Sequence, residues 1–144
     1  MKSAFKFFFT ILFAVVASVS TLVGCQKDEG NAKAVVVECT ADMLVIQVED
    51  VEGEVVLLSV MQTLQEEEKL SFEIVGGMIT EINGKANAVD YSSCWMLYTS
   101  DAELANTEWG TLQYQGQTIG SAIVGADSLP VVAGAYYVWS YQSF

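Results

Sequence analysis

The chain opens with an apolar run, Phe7 to Val23, that stops at Cys25 and gives way at once to the polar stretch QKDEGNAK. The run follows Lys2 and Lys6 and ends in small or modest residues, the three-part layout of a secretory signal. Such a segment is a targeting device and takes no part in folding. Setting residues 1–24 aside leaves 120 of the 144 residues. That length suits one domain burying about two thirds of its unfolded surface, and no second domain is expected.

Leu22-Val23-Gly24-Cys25 resembles the bacterial lipobox, in which the cysteine thiol takes a diacylglycerol and the chain is cut just before it. Cys25 is then the lipid attachment site and the first residue of the mature protein, holding it on the extracytoplasmic side of a cell membrane. Acyl chains contribute ~0.8 kcal/mol per buried methylene, so two or three make a lasting anchor. Residues 25–33 lack any apolar period and read as a flexible tether, with 34–144 as the folded domain. An uncleaved membrane helix is the alternative, since a span needs ~20 mainly apolar residues and this run comes close.

Beyond residue 24 the chain has four lysines, no arginine and no histidine against eighteen acids, a net charge of −14. Nucleic-acid binding needs a positive face that displaces counterions, and none is present. Bidentate capture of phosphate relies on arginine, which disfavours phosphate ligands. Without histidine there is no Ser-His-Asp or Cys-His pair and no imidazole metal ligand. The expectation is a protein without catalytic residues, metal or cofactor. Paired carboxylates are the remaining catalytic route, but the acids are scattered along the whole chain.

Two further cysteines, Cys39 and Cys94, are candidates for a disulfide in an exported protein. Each also lies in a strand-like run where a buried free thiol would pack as a small apolar residue. Asp50, Glu52 and Glu54 carry oxygen ligands of the kind calcium takes, but they lack a full calcium-loop pattern. They read instead as a loop leading into a helix, with Glu54 near its positive end.

AVVVECTADMLVIQVED (34–50) outlines a β-hairpin broken at Ala41-Asp42. Leu57, Val60, Met61 and Leu64 then fall at i, i+3, i+4, i+7, the stripe of an amphipathic helix. That helix is expected to fray before Glu66-Glu67-Glu68, where like charges oppose the helix dipole. LSFEIV (70–75) and MITEIN (78–83) read as strands joined at Gly76-Gly77 and closed by the turn pair Asn83-Gly84. CWMLYTS (94–100) is an apolar and aromatic strand. DAELANTEWG reads as a short helix or an open loop, TLQYQGQTIG as a weak strand ending in a turn, and residues 136–141 as a last strand with aromatics on alternating faces. Two strands, one helix and then several strands predict an α+β fold, a mixed sheet with the helix packed on one face.

GGMITEINGKA, the polar loop after it, CWMLYTS and GADSLPVVAGAYYVWSYQ together resemble the transcobalamin-like C-terminal domain family, catalogued as a domain of unknown function. GEVVLLSVMQTL fits the helix that these domains carry after their first hairpin, so the likeness spans about residues 34–142. The chain departs from the family at the long 101–120 segment and at Ala133-Gly134-Ala135, where a Gly-Asp turn is usual. The resemblance implies a β-grasp fold. In the animal relatives, intrinsic factor and transcobalamin, this domain closes over cobalamin from one side while a helical domain, missing here, holds the other. Burying a large ligand takes two walls, and a lone domain supplies one.

By the same resemblance, Tyr91, Ser92, Ser93 and Trp95 fall where the relatives face their ligand, offering stacking area and hydrogen bonds without charge. The alternative places Trp95 in the core and leaves the serines to satisfy a turn. The expected function is non-catalytic binding at a bacterial envelope, of a corrinoid-like small molecule or of an envelope protein that meets a sheet edge or an aromatic patch. An enzyme is the weakest reading. The anchor makes its own prediction: a Cys25→Ser variant loses the lipid mass on intact-protein mass spectrometry and leaves the membrane fraction. Retention in the membrane without added lipid mass would identify residues 7–23 as a span instead.

Overall fold

The computed structural model describes residues 30–144; the signal segment, Cys25 and the first tether residues lie outside the described residues. Alternating apolar residues form β1 (Asn31–Cys39) and β2 (Met43–Glu52), an antiparallel hairpin. β1 starts inside the expected tether because Ala32 packs toward the core while Asn31 and Lys33 stay exposed, an alternation that an edge strand accepts. Helix α1 (Leu57–Glu66) buries the Leu57, Val60, Met61 and Leu64 stripe and ends before Glu67, with Glu68 in the left-handed region.

A small sheet follows, made of β3 (Phe72–Val75), β4 (Met78–Ile82) and β5 (Lys85–Ala86). Then come β6 (Ser93–Thr99), a single 3-10 turn at Ala102–Leu104, β7 (Ala105–Tyr114), β8 (Gln117–Ala122) and β9 (Tyr136–Ser143). The larger sheet has the order β1-β2-β9-β6-β8-β7 and the smaller one β3-β4-β5. The α+β class is as the sequence predicts. The mixed sheet is not: every pairing among the described strands is antiparallel, because β9 returns between β2 and β6 and runs opposite to both.

One face of the large sheet presents Leu44, Ile46, Val48, Leu97 and Tyr137 to the helix stripe and to Ile79 and Ile82 of the small sheet. Burying each such side chain contributes roughly 1.5–3 kcal/mol, which makes this face the main core. The other face carries Val45, Tyr98 and Val138, covered by Tyr114 and Ile119 from the β7–β8 hairpin. β8 pairs with β6 only at Tyr98↔Ser121 and Thr99↔Gly120. The rest of the hairpin is therefore free to lie over the sheet.

Residues 101–120 thus hold a short 3-10 helix at Ala102–Leu104, within the stretch that reads as a short helix or loop, and then two strands where the sequence reads a single weak one. Their alternation is hidden by a register shift between Asn106 and Thr111, where Gly110 takes φ 147° close to the Tyr98 ring.

The N-terminus of α1 has no capping side chain; Val56 occupies the cap position. Backbone carbonyls of a distant loop serve in its place: the Leu57 N–H donates to Leu129 O at 2.8 Å and the Leu58 N–H to Ala126 O at 2.9 Å. Val131 N–H returns a bond to Val55 O at 2.9 Å. Ala126, Leu129 and Val131 are themselves buried, so the loop belongs to the core.

Burial raises the pKa of the Tyr98, Tyr114 and Tyr137 hydroxyls above their ordinary value. Unfolded tyrosines ionise near pH ~10, and the folded ones hold their protons longer. Their contribution to stability is complete below that pH and is lost as pH rises through the raised values. Tyr137 Oη also accepts the Val132 N–H at 2.9 Å. Tyr137→Phe is expected to lower stability at pH 7 by about 0.5–1.5 kcal/mol, the net contribution of one hydrogen bond, and to flatten the alkaline loss; urea midpoints from pH 7 to 11 measure both.

Candidate functional site

The four residues expected to face a ligand are divided between a turn, a strand end and the core. Tyr91 is exposed on a left-handed turn at φ 57°. The Ser92 N–H and hydroxyl both donate to Asp90 Oδ1, at 3.0 and 2.7 Å. Those bonds, the hydroxyl's first, hold the Asp90 carboxyl below its ordinary pKa. Ser93 Oγ lies 2.9 Å from Ser143 Oγ, tying β6 to the end of β9. The serine hydroxyls are thus engaged in the turn and the strand ends.

Trp95 is buried and joins the two sheets. Its Nε1 donates to Lys85 O at 2.7 Å and its backbone N–H to Asn87 Oδ1 at 2.8 Å. Asn87 Nδ2 in turn donates to Ile79 O at 3.2 Å. The Tyr141 ring meets Trp95 edge-on at 5.3 Å, and its hydroxyl donates to Ala86 O at 2.9 Å. Lys85 pairs with the Asp42 carboxylate and places its ammonium 4.0 Å from the Tyr141 ring centre.

The candidate Cys39–Cys94 disulfide is not formed, and both thiols are free, the alternative that the sequence also offers. Cys39 is on β1 and Cys94 on β6, with β2 and β9 between them. Three strand spacings make about 14 Å, roughly twice the reach of a disulfide. Cys39 Sγ accepts from Asn83 Nδ2 at 3.0 Å, and the Cys94 thiol turns toward Met96 Sδ at 3.8 Å. Asp50 and Glu52 belong to β2, where they lie opposite Lys33 and Asn31, and not to a loop. Among the described residues no group of three or more Cys, Asp or Glu could hold a metal ion.

A cleft of about 500 Å³ lies elsewhere, on the helix side of the large sheet, between the β3–β4 turn and the segment after β8. It opens where β8 diverges from β6: the ladder ends at Tyr98↔Ser121, and Ile123 N–H bonds instead to Leu104 O at 3.0 Å. Trp95, Leu97 and Trp139 line its depth, while Met78, Ile123 and Val124 stand exposed around it. Asp127 stands at one side. Cβ atoms on Gly77 and Gly125 would come within 3.3 and 3.2 Å of its two carboxylate oxygens, so two bare backbones make room for it.

Trp139 is only 5% exposed, and its shielded indole N–H has no hydrogen-bond partner. Leaving such a donor unpaired costs about 1–3 kcal/mol. Unlike Trp95, it is a buried polar atom that the fold itself does not satisfy. The cleft therefore combines apolar area with one carboxylate at its edge, an arrangement suited to holding a small molecule. Sequence reasoning overlooked Met78, Ile123, Val124 and Asp127. The signal was there in Gly76-Gly77-Met78 and Ile123-Val124-Gly125, apolar residues set beside glycines.

No helix among the described residues is long and apolar enough to cross a membrane. Comparison with known proteins finds no matching family model, no matching curated protein and no matching solved structure. The cysteine geometry is directly checkable. Residues 26–144, prepared under non-reducing conditions and denatured, are expected to take two equivalents of iodoacetamide without added reductant; a chain that takes none until reduced would overturn the free-thiol arrangement.

Proposed function

We propose that the protein is a lipid-anchored, extracytoplasmic binding module without catalytic activity, tethered through Cys25 and seating a small amphipathic molecule in the cleft between its two sheets. The observation that carries this reading is the cleft itself. Exposed Met78, Ile123 and Val124 gather around a buried tryptophan whose N–H lacks a partner, and ligand sites join apolar walls to a few placed polar groups in this way. The lipobox-like Leu22-Val23-Gly24-Cys25 supports the anchor.

Hairpin, helix and then sheet is the order that supports a transcobalamin-like domain of β-grasp type, and through it a cobalamin-like ligand. Tight capture of a corrinoid would need a second wall from another chain, so this chain alone is expected to hold one only at the micromolar level. A second reading is an envelope-protein interaction along the edge strand β1, favoured by the exposure of Val35 and Val37 there.

Isothermal titration of residues 26–144 with cobalamin and cobinamide separates these readings. Micromolar binding that is lost in Val124→Asn and kept in Tyr91→Ala is the expected result. Loss in Tyr91→Ala instead would move the site to the 88–95 loop, and no heat at millimolar ligand would favour the β1 edge or a corrinoid site completed only by a second chain.

A further inference from the structure

We infer that the cleft between the β3–β4 turn and the segment after β8 selects small apolar cations, taking an aryl or alkyl body over Met78, Ile123 and Val124 and its ammonium beside the Asp127 carboxylate. This rests on the reading of the cleft as the binding site and adds the charge and orientation of what enters it.

The lining is apolar apart from hydroxyl and backbone groups and one ionisable side chain, Asp127. Among the described residues no ion pair or hydrogen bond engages that carboxylate, and the ion pairs are Lys33 with Glu49 and Lys85 with Asp42. The glycines at 77 and 125 let their backbones approach the carboxylate closely, which seats it at the edge of the cleft. A positively charged group reaching Asp127 therefore meets an unengaged anion at an exposed position, next to apolar surface that takes the rest of the molecule.

The floor sets the orientation. Trp95, Leu97 and Trp139 line the depth of the cleft and offer an ammonium no counter-charge, which suits an apolar end. The charged end thus faces outward. The wider field agrees, because the whole chain carries eighteen acids against six lysines. That field concentrates small cations and depletes anions near the surface.

The test uses three molecules with one aromatic body: 1-naphthylmethylamine as the cation, 1-naphthylmethanol as the neutral form and 1-naphthylacetate as the anion. Residues 26–144, which contain every described core residue, are titrated with each at low ionic strength. One-to-one binding in the order cation, neutral, anion is expected, with about a two- to fivefold step from neutral to cation, the range of an exposed ion pair. Asp127→Asn is expected to remove that step while leaving the alcohol unchanged. Met78→Ser with Val124→Ser is expected to weaken all three, and a thermal melt of each variant confirms that it folds.

If none of the three binds, the cleft is not a ligand site and both readings fall together. If all three bind equally, or if Asp127→Asn leaves the cation preference in place, the site stands and the charge selection is wrong.

Discussion

The backbone bonds between the start of α1 and the loop through Ala126, Leu129 and Val131 hold the architecture in place. A helix leaves its first N–H groups without partners, and here those groups are met by carbonyls some 70 residues later in the chain. Because Leu129 is completely buried, the loop cannot lift without opening the core. The same loop runs on from Ile123, Val124 and Asp127, so the contact that seats the helix also positions one wall of the cleft. Fold and site share one support.

The tryptophans show how closely similar residues can divide their work. Trp95 and Trp139 are equally buried and lie on neighbouring antiparallel strands with side chains on the same face. Trp95 spends its indole N–H on Lys85 O, which with Asn87 and Tyr141 fastens the small sheet to the large one. Trp139 has no such bond. One stabilises the frame that the cleft is cut from, while the other leaves a donor beside it. Trp109 is different again, exposed near the bulge of β7.

Electrostatics narrows the chemistry further. A chain without arginine or histidine has no bidentate cation for phosphate and no group of ordinary pKa near neutrality. Its lysines are few, and Lys33 and Lys85 are engaged with carboxylates. An unengaged carboxylate beside an apolar recess is the complementary feature that remains.

Much of this was written locally. The first hairpin, the helix stripe from Leu57 to Leu64 and the final strand are repeating patterns with periods of two and 3.6, which a linear reading detects because neighbouring side chains share one environment. The proposed anchor at Cys25 likewise rests on local composition alone. The placement of β9 between β2 and β6 was not local, and it made the sheet antiparallel and set Cys39 too far from Cys94. Nor was the β7–β8 hairpin, whose bulge at Gly110 breaks the alternation that announces a strand. The cleft depends on both. Its residues come from β4, β6, the segment after β8 and β9, each ordinary in its own stretch, and only the divergence of β8 from β6 beneath the Gly76-Gly77 turn gathers them. Short-range periodicity determines which elements form; long-range pairing and the loop that caps α1 decide what those elements enclose.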